Sequence, residues 1–117
     1  MARSYSLSRE DMALKLVAAL ETKRGGKPRR SAQGSGYDLV SRGRKIEIKT
    51  RRSLKGGFVQ LGERQFRVLC KERNYWIYVV CISGRTKKVF EFRRSAILPK
   101  IRPYMHYDFI FGKKDLK

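Results

Sequence analysis

Tyr37-Asp38-Leu39-Val40-Ser41-Arg42-Gly43-Arg44-Lys45-Ile46-Glu47-Ile48-Lys49 is the stretch that decides how this chain folds. Arg42-Gly43 reads as the two-residue turn of a hairpin, which pairs Ser41 with Arg44 and, counting outward, sets Asp38 opposite Glu47. Opposed residues have Cβ atoms about 4.5–5.5 Å apart, and like charges there are destabilising. Alternation puts Lys45, Glu47 and Lys49 on one face and Ile46 and Ile48 on the other. As structure, two facing carboxylates contribute little. As a site for a divalent cation and a phosphate they make sense, because the cation lets both acids stay ionised.

Upstream, Ser8 followed by Asp11 has the form of a helix N-cap, and Met12, Leu16, Val17 and Leu20 recur at helical spacing. A helix is expected over residues 9–23, ended by Gly25-Gly26 and Pro28. Residues 23–36 carry five basic side chains among glycines and read as an exposed loop. Downstream of the hairpin, Gly56-Gly57 turns the chain into a third strand, 58–61. Phe66, Leu69 and Cys70 share one face of a second helix over 63–73, with Asn74 as its terminator. Residues 75–82, Tyr-Trp-Ile-Tyr-Val-Val-Cys-Ile, are too short and too β-branched and aromatic for a helix. They read as a central strand buried on both faces. Gly84-Arg85 leads into an edge strand at 88–92, and 107–111 can add one more. Helix, three strands, helix, strand and a C-terminal β addition make an α/β fold.

The chain has 117 residues, which suits a single domain over 1–117, with the core at about 8–92 and an extension at 93–117. Lys and Arg number 29 against 10 Asp and Glu, a net charge of +19. Such a chain is expected to bind polyanions, because each neutralised phosphate releases condensed counterions. The longest apolar run is far short of the roughly 20 residues a spanning helix needs, so no membrane partner is expected. The opening residues lack the apolar stretch of a secretory signal, and an intracellular location is the expectation. Cys70 and Cys81 lack metal-site spacing and His106 is the single histidine, which argues against a zinc site or a Cys–His nucleophile. Both cysteines are expected to be buried small hydrophobes.

Asp38 followed by Glu47-x-Lys49 on neighbouring strands resembles the PD-(D/E)xK nuclease superfamily and its restriction-endonuclease-like core. Within it, Gly36-Tyr37-Asp38, Ile46-Glu47-Ile48-Lys49, the 58–66 segment and Tyr75-Trp76-Ile77-Tyr78-Val79-Val80 are most similar to the NO VEIN C-terminal-like domains. Archaeal Holliday junction resolvases are a second resemblance, through the small basic chain and Gly34-Ser35-Gly36 before the aspartate. There are departures: tyrosine rather than proline precedes Asp38. Ala13 stands where the first helix of the family carries a glutamate, and Glu10 lies one turn earlier.

The resemblance implies a metal-dependent nuclease that hydrolyses phosphodiester bonds, in DNA rather than RNA, on a branched or duplex substrate. In that reading Asp38 and Glu47, with the Ile48 carbonyl, hold Mg²⁺ or Mn²⁺, and Glu10 is a further acidic ligand. Lys49 orients the attacking water or stabilises charge on the phosphoryl oxygens. The alternative for the same residues is a set of strand carboxylates balanced by Lys45, Lys49 and nearby arginines. Lys27, Arg29 and Arg30 before the site, and Arg42, Arg44, Lys45, Arg51, Arg52 and Lys55 around the hairpin, are the expected contacts to a nucleic-acid backbone. Gln60 can face the same cleft. A homodimer follows from the resolvase likeness. The second functional reading is a non-catalytic nucleic-acid-binding or ribonucleoprotein subunit that retains the fold.

Overall fold

Ser8 caps the first helix, α1 (Arg9–Lys23), in a computed structural model that describes residues 8–53, 57–103 and 107–116. The Ser8 Oγ accepts from the Asp11 N–H at 3.1 Å, and Glu10 and Asp11 sit in the first turn, where the helix dipole favours negative charge. The basic stretch that follows is not loop throughout. Arg29–Arg30 forms a short strand, β1, antiparallel to β2 (Leu39–Ser41), because Leu39 and Val40 have a free edge on the side away from the hairpin.

β2 turns directly into β3 (Arg44–Arg51), with Leu39 opposite Ile46, Val40 opposite Lys45 and Ser41 opposite Arg44. Arg42 and Gly43 both have positive φ, 51° and 74°, the backbone twist that suits a two-residue hairpin turn. Glycine adopts it freely and arginine does not. Arg42 is held there by two hydrogen bonds to Glu21 of α1, Nε to Oε1 at 2.7 Å and Nη2 to Oε2 at 2.8 Å.

The remaining elements are β4 (Gly57–Leu61), α2 (Glu63–Lys71), β5 (Tyr75–Ser83), β6 (Thr86–Arg93), α3 (Arg94–Ile97), β7 (Ile101–Pro103) and β8 (Tyr107–Phe111). Five strands form one sheet in the order β1-β2-β3-β5-β6, in which only β3 and β5 are parallel. The third strand of the sequence reading, β4, is not part of it. It pairs with β8, and β8 with β7, in a second sheet that the C-terminal extension completes.

β5 is buried on both faces, as its composition requires. Tyr75, Ile77, Val79 and Cys81 join Val59, Leu61, Leu69, Phe92, Phe109 and Phe111 on one side. Tyr78, Val80 and Ile82 join Ala13, Val17, Leu39 and Ile46 on the other. So α1 covers one face of the five-stranded sheet, while α2 and the second sheet cover the opposite one. α2 ends at Lys71, before Asn74, and faces the core through Phe66, Val68 and Leu69. Cys70 is therefore exposed, contrary to expectation, while Cys81 is buried. No helix among the described residues is long and apolar enough to cross a membrane.

Candidate active site

β2 accompanies β3 only as far as Ile46, which leaves the edge of β3 from Ile48 onward without a strand neighbour. Asp38 stands at that break. Its N–H donates to the carbonyl of Ile46, which is already opposite Leu39, at 2.8 Å, so the register ends here and Asp38 does not take the regular place opposite Glu47 that the hairpin count predicts; its Oδ2 accepts from the Ile48 N–H at 2.7 Å. A side-chain oxygen thus replaces the next backbone partner. Because N–H and C=O of one strand residue point to the same side, the Ile48 carbonyl faces the open edge. A cleft of about 710 Å³ runs along it, bordered by Glu10, Asp11 and Leu14 of α1 and by Phe58, Val59 and Gln60 of β4.

Glu47 lies on the face of β3 opposite Ile46, and its side chain is nearly fully buried. Burial and the neighbouring Asp38 carboxylate push its pKa up to about 8, against the opposing pull of Lys49. Lys49 Nζ lies 3.4 Å from Glu47 Oε2. Both are tied to one residue of α2: Gln65 Nε2 donates to Glu47 Oε2 at 2.8 Å, and Gln65 Oε1 accepts from Lys49 Nζ at 2.9 Å and from the Gly62 N–H at 3.0 Å. Asp38, Glu47, Lys49 and Gln65 all line the cleft, and Glu10 reaches its rim.

The loop that carries Asp38 is fastened from below. Buried Tyr75 donates its hydroxyl to the Gly36 carbonyl at 2.9 Å, and both Ser31 and Ser35 hydroxyls donate to the Tyr37 carbonyl. Gly36 has a φ of 90°, and a Cβ there would meet Val68 Cγ2 at 2.8 Å, so only glycine lets the loop lie this close to α2.

The basic residues separate into two groups. Lys27, Arg29, Arg30 and Arg52 are exposed, and Arg30 also lines the cleft. Arg42 and Arg44 instead belong to a structural network. Arg42 grips Glu21, which also accepts from the Tyr78 hydroxyl at 2.8 Å and from Arg24 Nη1 at 3.5 Å. Arg44 donates to Tyr78 at 2.7 Å and Glu91 at 2.9 Å and stacks 3.7 Å from the Trp76 ring centre. Burial alone would raise the Glu21 pKa, but hydrogen bonds from Arg42 and Tyr78 outweigh it and hold the group at about 2. Lys45 pairs with Glu72 at 2.8 Å. Arg51 donates to the Phe58 carbonyl at 2.8 Å and lies over the Phe111 ring, fixing β4 beside the end of β3. Lys55 lies outside the described residues.

Gln65 was not among the residues read from sequence. One signal marked it: with Val68 and Leu69 it occupies the i, i+3, i+4 stripe of α2, where a polar residue needs a buried partner.

Residues 9–92 match the family described as "Protein NO VEIN, C-terminal", and the chain belongs to that family. Its fold is similar to that of Hjc, a Holliday junction resolvase from the archaeal hyperthermophile Archaeoglobus fulgidus. The TM-score is 0.64 at 16% identity, covering 93% of this chain and 88% of the resolvase, and the shared architecture is restriction-endonuclease-like. No curated protein matches the sequence.

Proposed function

We propose that this chain is a metal-dependent nuclease that hydrolyses phosphodiester bonds, with DNA as its substrate. The observation that carries this reading is the meeting of Asp38, Glu47 and Lys49 in one cleft, with Asp38 close enough to disfavour ionisation of Glu47. The raised Glu47 pKa is the mark of two carboxylates brought close together where burial penalises charge, an arrangement that a bound cation would relieve.

The donor set fits Mg²⁺ or Mn²⁺. Those ions take hard oxygen ligands, and Mg²⁺ is commonly held by one or two carboxylates, with waters and substrate phosphate completing the shell. Asp38 and Glu47 would hold the ion, with the Ile48 carbonyl as a neutral donor. When bound, the ion neutralises phosphate charge and lowers the pKa of water for in-line attack.

The chain's own residues supply the rest. Lys49 places a positive charge where the phosphoryl oxygens gain negative charge. Gln65 keeps that ammonium and the Glu47 carboxylate in one geometry. Lys27, Arg29, Arg30 and Arg52 hold the substrate backbone without reading its bases. Glu10, on the rim, can add a carboxylate through a water.

Among the described residues no three acidic, histidine or cysteine side chains cluster at metal-binding distance. What favours the second reading, a nucleic-acid-binding protein that keeps the fold without cleavage, is the net charge of +19 together with Ala13 at the place where the family's first helix carries a glutamate. Incubation with single-stranded, duplex and branched DNA and with RNA, in Mg²⁺, Mn²⁺ or chelator, separates the two. Cleavage in metal and none in chelator is expected; binding without cleavage under every condition selects the second reading.

A further inference from the structure

Phe58 is 59% exposed, the most exposed large hydrophobic side chain among the described residues. The other aromatic rings of its neighbourhood, Phe92, Phe109 and Phe111, are packed against one another in the core. Its position follows from strand alternation: Val59 and Leu61 of β4 point into the core, so Phe58 and Gln60 point out. Phe58 is also one of the residues lining the cleft, together with Glu47 and Lys49. The strand beneath it is pinned by the Arg51 bond to the Phe58 carbonyl and by pairing of β4 with β8. An isolated surface hydrophobe needs no explanation. An exposed aromatic ring on a strand held by Arg51 and β8, at a cleft that Arg30 and Lys49 also line, does.

We propose that Phe58 is a stacking platform for an unpaired nucleobase beside the reacting phosphate, so that the site takes DNA with an unstacked nucleotide in preference to continuous duplex. The proposal rests on the nuclease reading for the identity of that phosphate. A base inside a duplex has both faces covered by its neighbours and offers none to a protein ring. A base at a branch point, bulge or overhang offers one, and Leu14 on the facing border of the cleft gives a second apolar surface. Stacking on an aromatic side chain is tolerant of sequence, and its loss weakens binding by roughly 10–100-fold per base. Arg30, exposed on the same cleft, supplies charge that holds a flanking phosphate.

The test uses the full chain with metal chelated, so that binding is read apart from cleavage. Two DNA ligands carry 2-aminopurine, one at a single-nucleotide bulge and one at the same place in perfect duplex. Wild type is expected to bind the bulge more tightly and to change its 2-aminopurine fluorescence. Phe58→Ala should lose about tenfold or more for the bulge and much less for the duplex, while Phe58→Trp restores the bulge preference. The proposal is overturned if wild type binds both ligands equally, or if Phe58→Ala weakens both alike. Cleavage of the two DNAs in Mn²⁺ is measured in parallel. A Phe58 effect on binding without any cleavage would remove the nuclease reading and leave the stacking site. Metal-dependent cleavage indifferent to Phe58→Ala, with unchanged binding, would do the reverse.

Discussion

Gln65 of α2 holds Glu47 of β3 by a 2.8 Å hydrogen bond from its amide to the carboxylate, and spends its carbonyl oxygen on Lys49. The pair that the sequence motif places on one strand is therefore oriented by a residue from another element.

Replacing Gln65 with alanine should lower cleavage by about 10–100-fold, the usual cost of removing a group that orients a metal ligand. Binding to DNA with the metal chelated should stay near wild type, because Gln65 carries no charge to offer a phosphate. Titrating Mn²⁺ in the cleavage assay should show a weakened metal requirement curve. Unchanged rates at every Mn²⁺ concentration would show that the tie is dispensable.

Glu21 makes stability depend on acid. Its folded-state pKa is about 2 against an ordinary 4.5, so between those values the unfolded chain binds more protons. The stabilisation is complete above about pH 5 and is lost as pH falls toward 2, on the order of 3 kcal/mol in all. Glu21→Gln should lower stability by about that amount at pH 7, and its denaturation midpoint should approach that of wild type near pH 2.5. Urea unfolding at pH 7, 4 and 2.5 measures this; equal differences at all three would contradict the account.

The hairpin was legible in the sequence because a two-residue turn leaves no freedom of register. Once Arg42-Gly43 is the turn, Leu39 must face Ile46, as it does. One residue further the count fails, because the Asp38 N–H bonds the Ile46 carbonyl, and the face that carries Glu47 is covered rather than wet. β5 was legible for a similar reason, since an unbroken apolar run must be covered on both sides. Partner choice between distant segments was not. Nothing local in Phe58-Val59-Gln60-Leu61 says that its neighbour is β8 rather than the hairpin. Arg42 and Arg44 look like any other surface cations until Glu21, Tyr78 and Glu91 arrive from α1, β5 and β6. Cys70 was misplaced by one position on the helical wheel, where Val68 takes the inward place.

That division of the arginines has a consequence for salt dependence. Replacing Lys27, Arg29, Arg30 and Arg52 together with alanine should reduce the slope of log affinity against log salt by about 3–4 for duplex DNA. Replacing Arg42 and Arg44 should leave the slope nearly unchanged and instead lower the melting temperature, because each removes a charge-assisted hydrogen bond to a buried or half-buried acid, Glu21 or Glu91. A slope that responded to the second pair and not to the first four would reverse the assignment.

Glu47→Ala and Lys49→Ala test the central claim most directly. Glu47 is to hold the ion and Lys49 to act on the phosphate, while other cations supply affinity. Each substitution is expected to cut the rate at which a labelled DNA is cleaved in Mn²⁺ by about 100-fold or more, equivalent to about 3 kcal/mol of transition-state stabilisation. Binding of the same DNA in chelator should change by no more than about threefold, since one phosphate contact at most is altered. Cleavage that survives both substitutions, or wild-type protein that binds tightly and cuts nothing, would contradict the account.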